Sequence, residues 1–152
     1  MKTLKKMKGF TLIELLIVIA LIAVLAGAII VALNPARQFA QARNSERWSH
    51  VNAILNLVQQ NTVENRGSWT CAAGVLPTTS TNIASSGGYN LCSCLVPTYT
   101  NALPYDPNHS GAHWADCTNF DTDYYISQDA STSRITVIAH DPELGASISV
   151  TQ

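Results

Sequence analysis

Beyond residue 8 the chain has no lysine, and charged residues of any kind make up only 12% of its 152. The four lysines (Lys2, Lys5, Lys6, Lys8) all lie within Met1–Gly9. Without that leader, five arginines face ten acids, a net of −5. Such a balance excludes a nucleic-acid-binding surface, which needs clustered cations. No nucleophile elbow, phosphate loop or pair of catalytic carboxylates appears, so nothing in the chain proposes an enzyme. Cysteine is absent before Cys71, which excludes a lipoprotein-type cut. The length suits one domain with a helical tail.

What is present is concentrated at the start. Phe10-Thr-Leu-Ile-Glu14 opens an apolar run that reaches Leu33, and Glu14 is its one ionisable side chain. As a helix the run spans about 36 Å, enough to cross a hydrocarbon core of about 30 Å with some tilt. The lysines beside it hold the N-terminus in the cytoplasm and send the rest outward. A carboxylate at the bilayer centre costs about 2.5 kcal/mol or more, less near the interface, so Glu14 is expected to be functional.

Three readings of this segment compete. A plain signal anchor explains the lysines and the apolar run but not Glu14. A secretory signal cut after Ala26-Gly27-Ala28 has the small-x-small pattern, yet apolar residues continue through Ile29, Ile30, Val31 and Leu33. The third places the cut before the run. Lys8-Gly9-Phe10-Thr11-Leu12-Ile13-Glu14-Leu15-Leu16 resembles the prepilin signal of type IV pilins and pseudopilins. The close likeness covers Lys8 to about Ala36.

That resemblance implies cleavage between Gly9 and Phe10 by a prepilin peptidase and N-methylation of Phe10. It also implies that Glu14 pairs with the new N-terminal amine of a neighbouring subunit as the helices bundle. The physics agrees: Gly9 offers a peptidase unobstructed backbone, and a paired buried carboxylate rewards only the correct stagger. The partners expected are the peptidase, further pilin subunits, the inner-membrane assembly machinery and the membrane itself. The implied location is a single-pass inner membrane protein with its N-terminus inside, then a surface or periplasmic filament.

Beyond the leader (1–9) and the membrane and assembly helix (10–34), Asn34-Pro35 is the local break. Either a second helix starts there, with Asn as N-cap and Pro at the first position, or one helix continues with a kink. In the family a helix-breaking Pro marks a stretch that softens on assembly; Pro35 lies a few residues later than usual. Residues 35–66 are expected to form an amphipathic helix with Trp48, Val51, Ile54, Leu55, Val58 and Thr62 on its buried stripe. Arg66-Gly67 ends it, with Gly67 as the C′ residue.

The head, 67–152, begins with a polar loop over Ser68–Asn90 that lacks periodicity, anchored by Val75-Leu76. Leu91–Val96 is expected to be a short strand, and Pro104-Tyr105-Asp106-Pro107 a turn. Asp123–Ser127, Arg134–His140 and Ser147–Thr151 then form an antiparallel meander. The fold class expected is α+β, with one long N-terminal helix packed on a small antiparallel sheet. It resembles the pilin head, and the Pro-x-Asp-Pro turn is common in pseudopilins.

Four cysteines (Cys71, Cys92, Cys94, Cys117) in an exported head with a modest core read as two disulfides. A Cys92–Cys94 bridge is geometrically awkward, so each is expected to pair separately with Cys71 or Cys117. Zinc is the alternative, although C-x-C is tighter than the usual ligand spacing. His109-x₃-His113 with Asp116 has the look of a metal triad, but Gly111 and the turn signals favour a loop. Asp121-Thr122-Asp123 with Asp116 and Asp129 supplies hard oxygens suited to calcium, as some pseudopilins use, without a matching ligand pattern. No cofactor is expected, calcium being the one candidate. Asn108-His109-Ser110 is a formal sequon of little weight. Together these features point to a filament subunit of a type IV pilus or of a type II secretion or competence pseudopilus. The rival is a signal-anchored extracytoplasmic binding protein that never polymerises.

Overall fold

The computed structural model describes residues 9–152, so the leader lysines lie outside the described residues. The chain divides between Gln38 and Phe39 into an N-terminal unit and a head. In the N-terminal unit, α1 (Leu12–Leu33) is apolar apart from Glu14 and has no buried residue. It is long and apolar enough to cross a membrane by length and composition.

Asn34 ends α1 in the left-handed conformation, with φ 43°. It then caps α2 (Pro35–Glu64), its carbonyl accepting from the Arg37 amide at 3.1 Å and from the Gln38 amide at 3.4 Å. Of the two alternatives, a second helix therefore starts at Pro35, where the missing amide hydrogen needs no partner. Asn tolerates the left-handed region better than most residues, which lets it close one helix and open the next.

From Phe39 onward α2 belongs to the head. Val51, Ile54, Leu55 and Val58 are buried in one cluster with Phe120, Tyr124, Ile126, Val137, Ala139 and Ile148 from the sheet. Burying each such side chain stabilises by about 1.5–3 kcal/mol. The expected stripe needs two corrections: Trp48 is 41% exposed, whereas Arg47 is 1% exposed and takes the inward position, and at the far end Asn61 is buried in place of the expected Thr62, which is half-buried. The stripe runs 47, 51, 54/55, 58, 61, the helical repeat displaced by one residue at its first and last members.

The C-terminus of α2 also differs. Arg66 holds the left-handed C′ position, with φ 60°, and its amide bonds to Val63 O at 3.3 Å. Gly67 follows as C″, its amide reaching Thr62 O at 2.8 Å. This is a Schellman arrangement shifted one residue from the expected glycine.

The sheet is antiparallel and five-stranded. Its strands are β1 (Thr81–Ala84), β2 (His113–Asp116), β3 (Asn119–Gln128), β4 (Ile135–Ala139) and β5 (Ser149–Thr151). The path is β1-β3-β4-β5, with β2 also pairing β3. The expected meander is β3, β4 and β5. Two strands were illegible in sequence: β1 emerges from the supposed loop, and β2 from the segment after the two prolines. β1 is recruited by β3, through Thr81 opposite Ile126 and Asn82 opposite Tyr125. A short polar strand of this kind owes its form to its partner, not to its own alternation. Gly88 folds back so near the Asn82 carbonyl that a β-carbon would not fit.

The expected strand at Leu91–Val96 is instead a helical turn, α3 (Cys92–Leu95). Leu91, Cys92 and Leu95 are fully buried, a spacing of one and four that suits a helix and not a strand. In the supposed loop anchor, Leu76 is buried and Val75 is 85% exposed.

Candidate processing and assembly segment

Thr11 is the N-cap of α1, extended at φ −84° and ψ 151°. Its hydroxyl accepts from the Glu14 amide at 3.3 Å, while Glu14 Oε2 accepts from the Thr11 amide at 3.0 Å and the Thr11 hydroxyl at 2.7 Å. This is a reciprocal capping box. Two helix-terminal donors are thus satisfied by residues that also belong to the processing motif. Glu14 Oε1 has no partner among the described residues. The carboxylate sits at the positive end of the α1 dipole, where negative charge is favoured.

Gly9 and Phe10 precede the helix without regular structure and are exposed, Phe10 by 89%. A β-carbon built on Gly9 meets nothing within 4 Å among the described residues. No described residue therefore requires glycine there.

The head is closed against α2 by a polar clamp that sequence reasoning missed. Arg47 donates from Nε to Asp106 Oδ2 at 2.6 Å and from Nη2 to Asp106 Oδ1 at 2.9 Å. Its Nη1 reaches Asn44 Oδ1 at 2.9 Å and Glu143 Oε2 at 3.0 Å. Arg43 forks onto the same Glu143, with contacts of 2.6 and 2.5 Å. Asn44 exchanges two further bonds with the Glu143 backbone.

Burial pushes the Asp106 carboxyl up, but the Arg47 guanidinium and the Asn108 and His109 amides outweigh it and hold it below its ordinary range. Glu143 is held down to about 2, chiefly by the hydrogen bond from Arg43. The expected turn at Pro104–Pro107 is therefore a docking point as well, and its Asp106 amide donates to Thr122 O at 2.9 Å. One signal could have found the clamp: an arginine at position 47 of an otherwise apolar stripe needs a buried acid.

The four cysteines form Cys71–Cys94 and Cys92–Cys117, with Cα separations of 5.0 and 5.3 Å. On α3 the two cysteines lie two residues apart, about 200° around the helix, so their sulfurs reach opposite partners. No free cysteine remains among the described residues, and no cysteine zinc site with them.

The His109–His113–Asp116 triad is not assembled. His113 bonds to Gly111 O at 2.8 Å and Asn119 Oδ1 at 3.0 Å, and Asp116 caps the β2–β3 turn through Thr118 and Asn119. The acids considered for calcium are also dispersed. Asp129 caps its own turn through Ser131 and Thr132, and Asp121 accepts from Asn82 and from the Asp123 amide. His109 instead lies beside Asp123 and Asp141.

The chain matches no curated protein and no solved structure. The family model that does match is the prokaryotic N-terminal methylation motif, over residues 4–30. It covers the leader from residue 4, the Gly9–Phe10 junction, the Thr11–Glu14 capping box and most of α1. The motif implies prepilin-type processing by a prepilin peptidase, and with an exposed apolar helix it describes a membrane-anchored precursor with an extracytoplasmic head. An α+β chain of pilin-like arrangement thus carries the N-terminal signal of type IV pilins and pseudopilins.

Proposed function

We propose that this chain is a structural subunit of a filament, either a type IV pilus or the pseudopilus of a type II secretion or competence system. The observation that carries the reading is α1: every described side chain from Leu12 to Leu33 is exposed, and most of the helix lies within a methylation motif. Such a surface is stable only in lipid or against other copies of itself. The subunit inserts with its leader inside, is cut between Gly9 and Phe10, is methylated on Phe10, and leaves the inner membrane by packing α1 into a bundle.

Glu14 gives that bundle its stagger. In one chain its Oε2 is engaged by Thr11, and Oε1 remains to receive the Phe10 amine of a neighbour. The pair would sit in an apolar bundle, where an unmatched charge is costly and only the register that unites both charges is tolerated. The head, closed by two disulfides and the Arg47 clamp, forms the filament surface. Mass spectrometry of the mature N-terminus tests this: the reading requires N-methyl-Phe10. An intact leader, or a start at Ile29, would overturn it in favour of a signal-anchored binding protein or a secreted head.

A further inference from the structure

Strand register creates a gap in the sheet. β1 lies along one edge of β3, and β2 and β4 share the other: β2 pairs its first half (His113 opposite Asp121) and β4 its second (Tyr124 opposite Ala139). Asp123 sits at the break between them. It adopts φ 55°, unusual within a strand, and the β1–β3 register shifts beside it. The irregularity turns three consecutive residues, Thr122, Asp123 and Tyr124, into the interior.

The segments flanking that break converge on Asp123. The chain before β2 brings His109, and the chain after β4 brings His140 and Asp141. Asp123 is 5% exposed, and its buried Oδ2 has no hydrogen-bond partner among the described residues. A buried carboxylate oxygen with nothing to accept from is destabilising unless something positive meets it. Left-handed, strained backbone at the same residue is the kind of feature that persists where a site requires it.

We propose that His109, Asp123, His140 and Asp141 form a binding site for a divalent cation of the zinc type. His140 Nδ1 stands 3.3 Å from Asp141 Oδ1 and 3.7 Å from Asp123 Oδ1, and His109 Nε2 stands 3.9 Å from Asp141 Oδ2. The last two are too long for hydrogen bonds. They are a few tenths of an ångström above the edge of a zinc-centred tetrahedron, about 3.3 Å for ligands at about 2.0–2.1 Å. One ligand atom from each of His109, Asp123 and Asp141 fits within a mutual separation of 4.8 Å.

Two imidazoles select zinc or its transition-metal neighbours over calcium, which takes six to eight oxygens. Stacking on Tyr125, with ring centroids 4.8 Å apart, fixes the His140 ring. Metal on His109 Nε2 would place the ring proton on Nδ1 and release the long 3.3 Å contact from the Gly111 amide. The site joins the chain before β2 to the end of β4, so loading it would tie down the β4–β5 side of the head.

The test is calorimetric titration of the full chain in detergent, after chelator treatment, with Zn²⁺ and separately with Ca²⁺. One Zn²⁺ per chain is expected, with a higher thermal midpoint, weaker Ca²⁺ binding, and a four-coordinate Co²⁺ spectrum on substitution. Asp123→Asn and His140→Gln should each weaken Zn²⁺ at least about tenfold, the lower end of what disturbing a metal site costs. His50→Gln should not. In chelator, Asp123→Asn should be at least as heat-stable as the parent, because it removes an unpartnered charge, so lost binding would not reflect unfolding. If that variant fails to fold, exposed His140 and Asp141 carry the test through His140→Gln and Asp141→Asn. Absence of stoichiometric Zn²⁺ binding, binding indifferent to these variants, or tighter Ca²⁺ than Zn²⁺ would overturn the proposal.

Discussion

Replacing Asp106 by alanine strands a charge. The side chains of Arg47 and Asp106 are 1% and 0% exposed and share two hydrogen bonds. Without the acid, Arg47 keeps Asn44 and Glu143, but Nε and one Nη2 hydrogen face a dry gap that water does not readily fill. The Asn108 and His109 amides, which donate to Asp106 Oδ1 at 2.8 and 3.0 Å, lose their acceptor as well. Breaking a buried pair from one side costs about 3–5 kcal/mol, most of it the remaining uncompensated charge. Since stability falls by about 1–3 kcal/mol per molar urea, the midpoint should drop by about 1 M or more.

Tryptophan fluorescence reports the transition, because Trp48, Trp69 and Trp114 all lie in the head. The control is Arg47→Met with Asp106→Leu, which leaves no charge behind and should recover most of the loss. A loss below about 1 kcal/mol for Asp106→Ala, on the scale of an exposed ion pair, would refute the reasoning. So would a double variant as unstable as the single one, since the cost would then lie in packing and not in the stranded cation.

The capping box separates two roles of Glu14: Gln retains the cap at that position, whereas Ala forfeits about 1 kcal/mol of it. Both Glu14→Gln and Glu14→Ala should be processed at Gly9 yet form no filaments by electron microscopy; filaments from the Gln variant would eliminate charge pairing. Gly9→Val should leave an uncut precursor on an immunoblot, and since a β-carbon there touches none of the described residues, the block would lie in peptidase access. Each disulfide closes a loop of 23 or 25 residues and should contribute roughly 3 kcal/mol in the chain-entropy model. Reduction should therefore speed hydrogen exchange over 68–123 before it affects α2. Acid should weaken the clamp: Glu143 binds its proton less tightly folded (about 2) than at its ordinary 4.5, so its contribution is complete above about 4.5 and lost as pH falls towards about 2. An Arg43→Gln variant should flatten that part of the pH–stability curve.

Some of this protein needed no structure to be read. The apolar run, the Gly9–Phe10 junction and Glu14 are a contiguous pattern, and an exposed membrane helix is defined by local composition alone. The β3–β4–β5 meander was legible because Tyr124, Ile126, Ile135 and Val137 alternate on strands joined by short turns. The antiparallel sheet with its helix followed from those elements.

Other features depended on partners distant in sequence. β1 is a strand only because β3 offers it a free edge, and α3 is helical because Leu91, Cys92 and Leu95 all fit one pocket of the core. Arg47 displaces Trp48 from the buried stripe because Asp106 and Glu143, 59 and 96 residues away, await it there. The metal-ligand candidates change for the same reason: spacing joined His109 to His113, but β2 carries His113 past the gap and leaves His109 beside Asp123 and Asp141. Helix period and membrane affinity are properties of a segment, whereas a buried charge or a side-chain cluster is decided by which distant residue the sheet register places opposite it.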